Sequence, residues 1–268
     1  MSRRPPAGPE GGGPPAGVVV VAAPAKLTLR LRITGVRSDG YHLIDAEMVT
    51  LDLADELTFG PGDGVEMVYD DLARGPVGEV GRVAAGPPRP PADDDNLVAR
   101  ALRLVDRRAR VVVRKRIPLG AGLGGGSADA AAVLRWAGCF DPQLALRLGA
   151  DVPFCLLGGA CARVRGVGEA LEPLPPQGGT YTLLTPPFGC STPAVYRAWD
   201  DLGGPHHPDN DLEPAALEVE PRLAAWRDRL EAATGRKPKL AGSGSTWYVE
   251  GAFPEAGGVV AHAVMTAP

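Results

Sequence analysis

Apolar patterning begins at Val18, where Val-Val-Val-Val-Ala-Ala reads as the opening of a buried strand. Residues 27–33, Leu-Thr-Leu-Arg-Leu-Arg-Ile, then alternate apolar with polar, as a half-buried strand does. A turn over 35–40 returns the chain into a strand over 44–53, and 56–59 and 64–69 read as two more short strands. The stretch 75–95, rich in Pro, Gly and Asp, predicts a loop. Asn96 opens a helix to Asp106 with Leu97, Ala101, Leu102 and Val105 on its apolar face. A strand over 111–117 leads into a glycine run and an alanine-rich helix. Beyond it, 144–148 predicts one helical turn, and 161–164 and 171–174 predict strands about a turn at 166–169. A strand over 180–184, a helix over 192–199, an amphipathic helix over 221–233 and a glycine turn with strand over 240–249 complete the pattern. Pro-Pro-Gln-Gly-Gly at 175–179 marks a domain boundary. The expectation is an α+β protein with a tail over 1–16, one domain over 17–176, a second over 177–268, and a cleft between the two.

Composition narrows the function. With 268 residues and 44% apolar content, the chain has ample core for two modest domains. A net charge of −4 argues against nucleic acid as a partner, which calls for a basic stripe. No apolar stretch reaches membrane-spanning length, so no membrane partner is expected. The tail is rich in Pro and Gly and reads as disordered, and its Arg3 and Arg4 precede no signal core. A cytoplasmic location follows as an expectation. Cys139, Cys155, Cys161 and Cys190 lack metal-ligand spacing and read as buried, reduced thiols. His206, His207 and His262 offer no third ligand either, so no protein metal cage is expected.

The chemistry concentrates in one run: Pro118, Leu119, Gly120, Ala121, Gly122, Leu123, Gly124, Gly125, Gly126 and Ser127. Glycines let backbone approach a ligand, and a helix that starts there presents unpaired N–H groups and its positive dipole end. Strand, glycine loop and helix together form a cradle for phosphate. The pattern G-x-x-x-x-G-K-[ST] is absent because no Lys follows the glycines. G-x-G-x-x-G occurs at Gly120, Gly122 and Gly125, yet Asp141, at the distance where a dinucleotide fold ends a strand in an acid, follows a helix end and loop. Lys26, set between two strand segments, is an odd place for a charge without a partner. Asp151, before Val-Pro, suits a general base or a helix cap. Asn96 suits a nucleotide contact or a helix cap.

Three separated stretches, Pro24-Ala-Lys-Leu-Thr-Leu29, the glycine loop and Ala241-Gly-Ser-Gly-Ser-Thr246, resemble the three signatures of the GHMP small-molecule kinases. Asp39-Gly-Tyr-His42, Asp95-Asn-Leu97, Leu148-Gly-Ala-Asp-Val-Pro153, Gly166-Val-Gly-Glu169 and Asn210-Asp-Leu-Glu213 narrow it to the branch acting on a cytidine-diphosphate-linked methylerythritol, over about residues 18–249. The resemblance implies an N-terminal ribosomal-protein-S5-domain-2-like domain and a C-terminal ferredoxin-like domain flanking the active site. It implies ATP as co-substrate with Mg²⁺, phosphorylation of the 2-hydroxyl of the acceptor in the non-mevalonate isoprenoid route, and a monomer or weak homodimer. Asp151 becomes the general base and Lys26 its electrostatic partner. The glycine loop, with Asn96, takes ATP, the Ser127 hydroxyl reaching phosphate or Mg²⁺. Tyr41 and His42 take cytosine, Thr192 and Tyr196 line the same substrate, and Gly242, Ser243 and Gly244 face its diphosphate. Asn210 and Asp211 remain structural. Two departures stand out: Thr28 replaces the usual Asn among the substrate contacts, and the segment between Ser127 and Asp151 is short. Tyr41-His42 favours this branch over mevalonate- or homoserine-type kinases. Lys26 with Asp151 argues against a nucleotide-binding regulator without turnover.

Overall fold

The computed structural model describes residues 17–70, 96–159 and 161–264. The tail over 1–16 and the loop expected over 75–95 lie outside the described residues. The first described element is one long strand, β1 (Val19–Val36), antiparallel to β2 (His42–Gly60), which is one residue longer. The sequence suggests two strands in each of these stretches, but the ladder runs from Val19 opposite Phe59 to Val36 opposite His42. Register shifts at Pro24/Lys26, Thr28/Arg30 and Ile33/Gly35 absorb the irregular spacing. The valine run is likewise not wholly buried: Val18 and Val20 are 69% and 58% exposed, while Val19 and Val21 pack on the core. Strand pleating turns alternate side chains outward whatever their polarity.

After β3 (Gly64–Tyr69) come α1 (Leu97–Leu104), β4 (Arg110–Lys115), α2 (Gly125–Trp136), α3 (Pro142–Leu146), α4 (Val152–Leu157), β5 (Cys161–Gly166) and β6 (Ala170–Pro173). The sheet order is β3-β4-β2-β5-β6, with β1 pairing β2 on its other edge. Ala128 through Leu134 of α2 are all buried, because alanines let this helix sit tightly between α1, α4 and β1. The second sheet orders as β10-β7-β9-β8. It comprises β7 (Thr180–Leu184), β8 (Lys239–Leu240), β9 (Trp247–Glu250) and β10 (Val259–His262), with α5 (Thr192–Asp201), α6 (Glu213–Val219) and α7 (Leu223–Thr234) between β7 and β8. The sequence reading lacks α4, α6 and β10; each is too short to carry a clear period.

A second core cluster joins the sheets. Leu27, Val49 and Leu51 meet Ile117 and Leu123 of the glycine-loop region and Tyr181, Leu183, Tyr248 and Ala261 of the second sheet. The glycine loop therefore sits at the seam of the molecule.

Candidate active site

β4 delivers the chain to the glycine loop, and α2 leaves it with Gly124 as its N-cap. Gly124 is left-handed (φ +70), and a Cβ there would lie 2.8 Å from Cγ of Lys26. At Gly122 a Cβ would lie 2.1 Å from the carbonyl oxygen of Ala241, so the first glycine loop and the 241–246 loop touch backbone to backbone. Ser245 N–H and Thr246 N–H donate to the carbonyls of Gly120 (3.2 Å) and Ala121 (3.1 Å), closing that contact. The first-turn N–H groups of α2 have no helical acceptor of their own and make the loop a receptor for anions.

Lys26 is buried in β1. Its N–H donates to the carbonyl of Leu123 (3.0 Å), and its Nζ donates to Thr28 Oγ1 (3.2 Å) and lies 3.4 Å from Asp151 Oδ2. Asp151 precedes α4 but makes no cap bond with its side chain, which is 33% exposed. Its carboxylate faces Lys26 and the cleft rather than its own helix. One turn on, burial pushes the Cys155 thiol up to about 12, with the negative charge of Asp151 adding to the shift.

Across the cleft, His42 Nε2 lies 2.8 Å from Asp200 Oδ1, and its ring centroid is 4.7 Å from that of Tyr196 and 5.6 Å from Trp199. Burial holds the Tyr196 hydroxyl above its ordinary range, reinforced by the charge of Asp151. Tyr41 stands exposed on the rim. Thr192 Oγ1 and Ser243 Oγ share a hydrogen bond of 2.8 Å. Tyr41, His42, Thr192, Tyr196, Asp200 and Ser243, with Thr28, Gly242 and all of residues 118–127, line one cavity of about 710 Å³.

The model for the GHMP kinases N terminal domain matches residues 96–159, which span the glycine loop and Asp151. A 4-diphosphocytidyl-2-C-methyl-D-erythritol kinase of Paracoccus denitrificans is 40% identical over 247 residues, covering 85% of each chain. The chain belongs to the 4-diphosphocytidyl-2-C-methyl-D-erythritol kinases. A second such kinase, from Ruegeria pomeroyi, is 38% identical over 269 residues and covers 88% of each chain. The crystal structure of a 4-(cytidine 5'-diphospho)-2C-methyl-D-erythritol kinase superposes with a TM-score of 0.69 at 30% identity, covering 92% of this chain and all of that one. The fold is that of the GHMP kinases, and the protein is a kinase.

Not every residue expected at this kinase's site lines the cavity. Asn96 caps α1, its Oδ1 accepting from Val98 N–H (2.8 Å), while Nδ2 faces the sulfur of Met67 (3.8 Å). Its neighbour Leu97 lines the cavity instead. Gly244 lies behind the rim, close to Leu240 and Cys190. Thr28, which lines the cavity, accepts a hydrogen bond from the Lys26 ammonium (3.2 Å). Arg197 and Asp200 also line the cavity, and sequence reasoning missed both because they read as the polar face of an ordinary helix. It also missed a buried cluster beneath the loop: Lys115 Nζ pairs with Asp55 and, at 2.6 Å, with Asp129. Strand alternation through Val111, Val113, Lys115 and Ile117 could have exposed it, since it sets Lys115 on the inward face. Among the described residues, no helix is long and apolar enough to cross a membrane.

Proposed function

We propose that the protein transfers the γ-phosphoryl group of ATP to the 2-hydroxyl of 4-diphosphocytidyl-2-C-methyl-D-erythritol, a step of the non-mevalonate isoprenoid route in the cytoplasm. The observation that carries this reading is the Lys26–Asp151 pair, 3.4 Å apart, with Lys26 packed against Gly124 of the phosphate cradle. Phosphoryl transfer asks mainly for positioning and neutralised charge. Asp151 accepts the hydroxyl proton as the oxygen attacks, and Lys26 keeps that carboxylate ionised and offsets charge on the acceptor oxygen and γ-phosphate. The cradle N–H groups hold the triphosphate. Tyr41, His42 and Tyr196 supply the aromatic wall for cytosine, and the 242–243 rim meets the diphosphate.

Mg²⁺ suits this site as an ion carried by the phosphates. No group of three or more acidic, His or Cys side chains among the described residues could cage a metal, and the Asp129 carboxylate is engaged by Lys115. The Ser127 hydroxyl is the oxygen donor beside the cradle, and the ion when bound supplies charge neutralisation. The coil between β6 and β7 supports a domain division at 176/177.

Asp151→Asn tests the assignment. In a coupled assay of ADP release, kcat should fall by about 10²–10⁴-fold with nucleotide affinity retained. Absence of ADP from the parent with this acceptor would overturn the substrate, and turnover on mevalonate instead would move the chain to another branch.

A further inference from the structure

The motif Asn210-Asp-Leu-Glu213 has no part in the reaction described so far, yet its Asn and Asp side chains are both buried and hydrogen-bonded. Asn210 is 3% exposed and lies behind the cavity rim. Its Nδ2 donates to the carbonyls of Leu240 (3.0 Å) and Gly242 (2.7 Å), and its Oδ1 accepts from Leu212 N–H (3.0 Å). Its backbone is zipped onto β1: Leu31 N–H donates to Asp209 and Asp211 N–H to Leu31, each at 3.0 Å. Asp211 reinforces this junction by accepting from Ile33 N–H (2.9 Å) and Arg32 (2.7 Å). The backbone about Asn210 joins the strand bearing Lys26, and its amide side chain carries that link on to the rim bearing Gly242 and Ser243.

The geometry points to Asn210 as a positioning residue for the second substrate. A trans peptide directs its carbonyl and its N–H to opposite sides. With the Gly242 carbonyl held by Asn210 behind the rim, the N–H of Ser243 is turned to the cavity face that Gly242 and Ser243 line. A backbone N–H fixed there receives a phosphate oxygen of a nucleoside diphosphate. The inference rests on the cytidine-diphosphate reading above and adds the residue that orients the donor.

Asn210→Ser keeps an oxygen for Leu212 N–H and removes both donors to the rim; Asn210→Asp places an oxygen against two carbonyls. CDP and cytidine are compared as competitive inhibitors of the parent and both variants, with folding followed by thermal denaturation. In the parent CDP should bind more tightly than cytidine. In Asn210→Ser, Ki for CDP should rise about tenfold or more, as expected for losing a hydrogen bond to a charged group, while Ki for cytidine and KM for ATP hold within about twofold. Equal shifts in both Ki values, or none, would overturn the positioning role and leave the substrate reading intact. A parent that CDP does not inhibit would overturn the substrate reading, and the inference with it.

Discussion

At the scale of single residues, the site depends on how closely backbone can approach one ammonium. Lys26 is held along its length: its amide by Leu123, its aliphatic stem by Gly124, its Nζ by Thr28 and Asp151. Such a clamp removes rotamer freedom before the substrate arrives. Gly124→Ala would force a Cβ to 2.8 Å from Lys26 Cγ in a left-handed conformation that itself costs about 1–2 kcal/mol. A shift of the ammonium by about 1 Å is worth up to about 10²-fold in rate. We expect kcat to fall by about 10- to 100-fold in this variant while the folded protein persists, as checked by steady-state kinetics beside thermal denaturation. An unchanged kcat would mean that Lys26 need not sit where it does.

At the scale of elements, the junction of β4 and α2 carries a buried charge cluster. Lys115 faces two carboxylates, and Asp55 Oδ1 also accepts from Arg116 N–H (2.5 Å) and Ile117 N–H (2.8 Å), the residues that enter the glycine loop. Asp129 Oδ1 has no partner. Burial pushes Asp129 up to about 7; Lys115 pulls against the shift and Asp55 adds to it. An acid raised in the folded state keeps a proton that the unfolded chain has released above about pH 4. Stability conferred by that proton is therefore present at low pH and declines as pH climbs from about 4 to 7, by at most about 1.4 kcal/mol per pH unit. Urea unfolding at pH 5 and pH 8 should reveal this decline in the parent and a flatter dependence in Asp129→Asn. The opposite slope difference would assign the proton elsewhere.

At the scale of the whole molecule, the two sheets share one core and several backbone bridges. Leu51 pairs with Ala263, Val264 N–H donates to the carbonyl of Thr50 (2.9 Å), and the Tyr248 hydroxyl reaches the carbonyl of Leu29 (3.1 Å). Connections of this kind couple the halves, so unfolding should be a single transition. Fluorescence of a variant retaining only Trp136 and of one retaining only Trp247 should give coincident urea midpoints; two separated transitions would refute the coupling. Much of the architecture was legible in the order of residues. The glycine run between an apolar strand and an alanine-rich segment was legible as a strand–loop–helix junction, which β4, the loop and α2 form, and strand alternation marked most of the sheet. Charge pairing across distance was not legible from pattern alone: only the family resemblance linked Lys26 to Asp151, and nothing in the sequence indicated Asp200 beside His42 or the seat of Asn210. Partners separated by more than a hundred residues meet only once β1, α4, α5 and the 241–246 loop are packed, since a side chain's identity states what it can bond and packing alone determines what lies within reach.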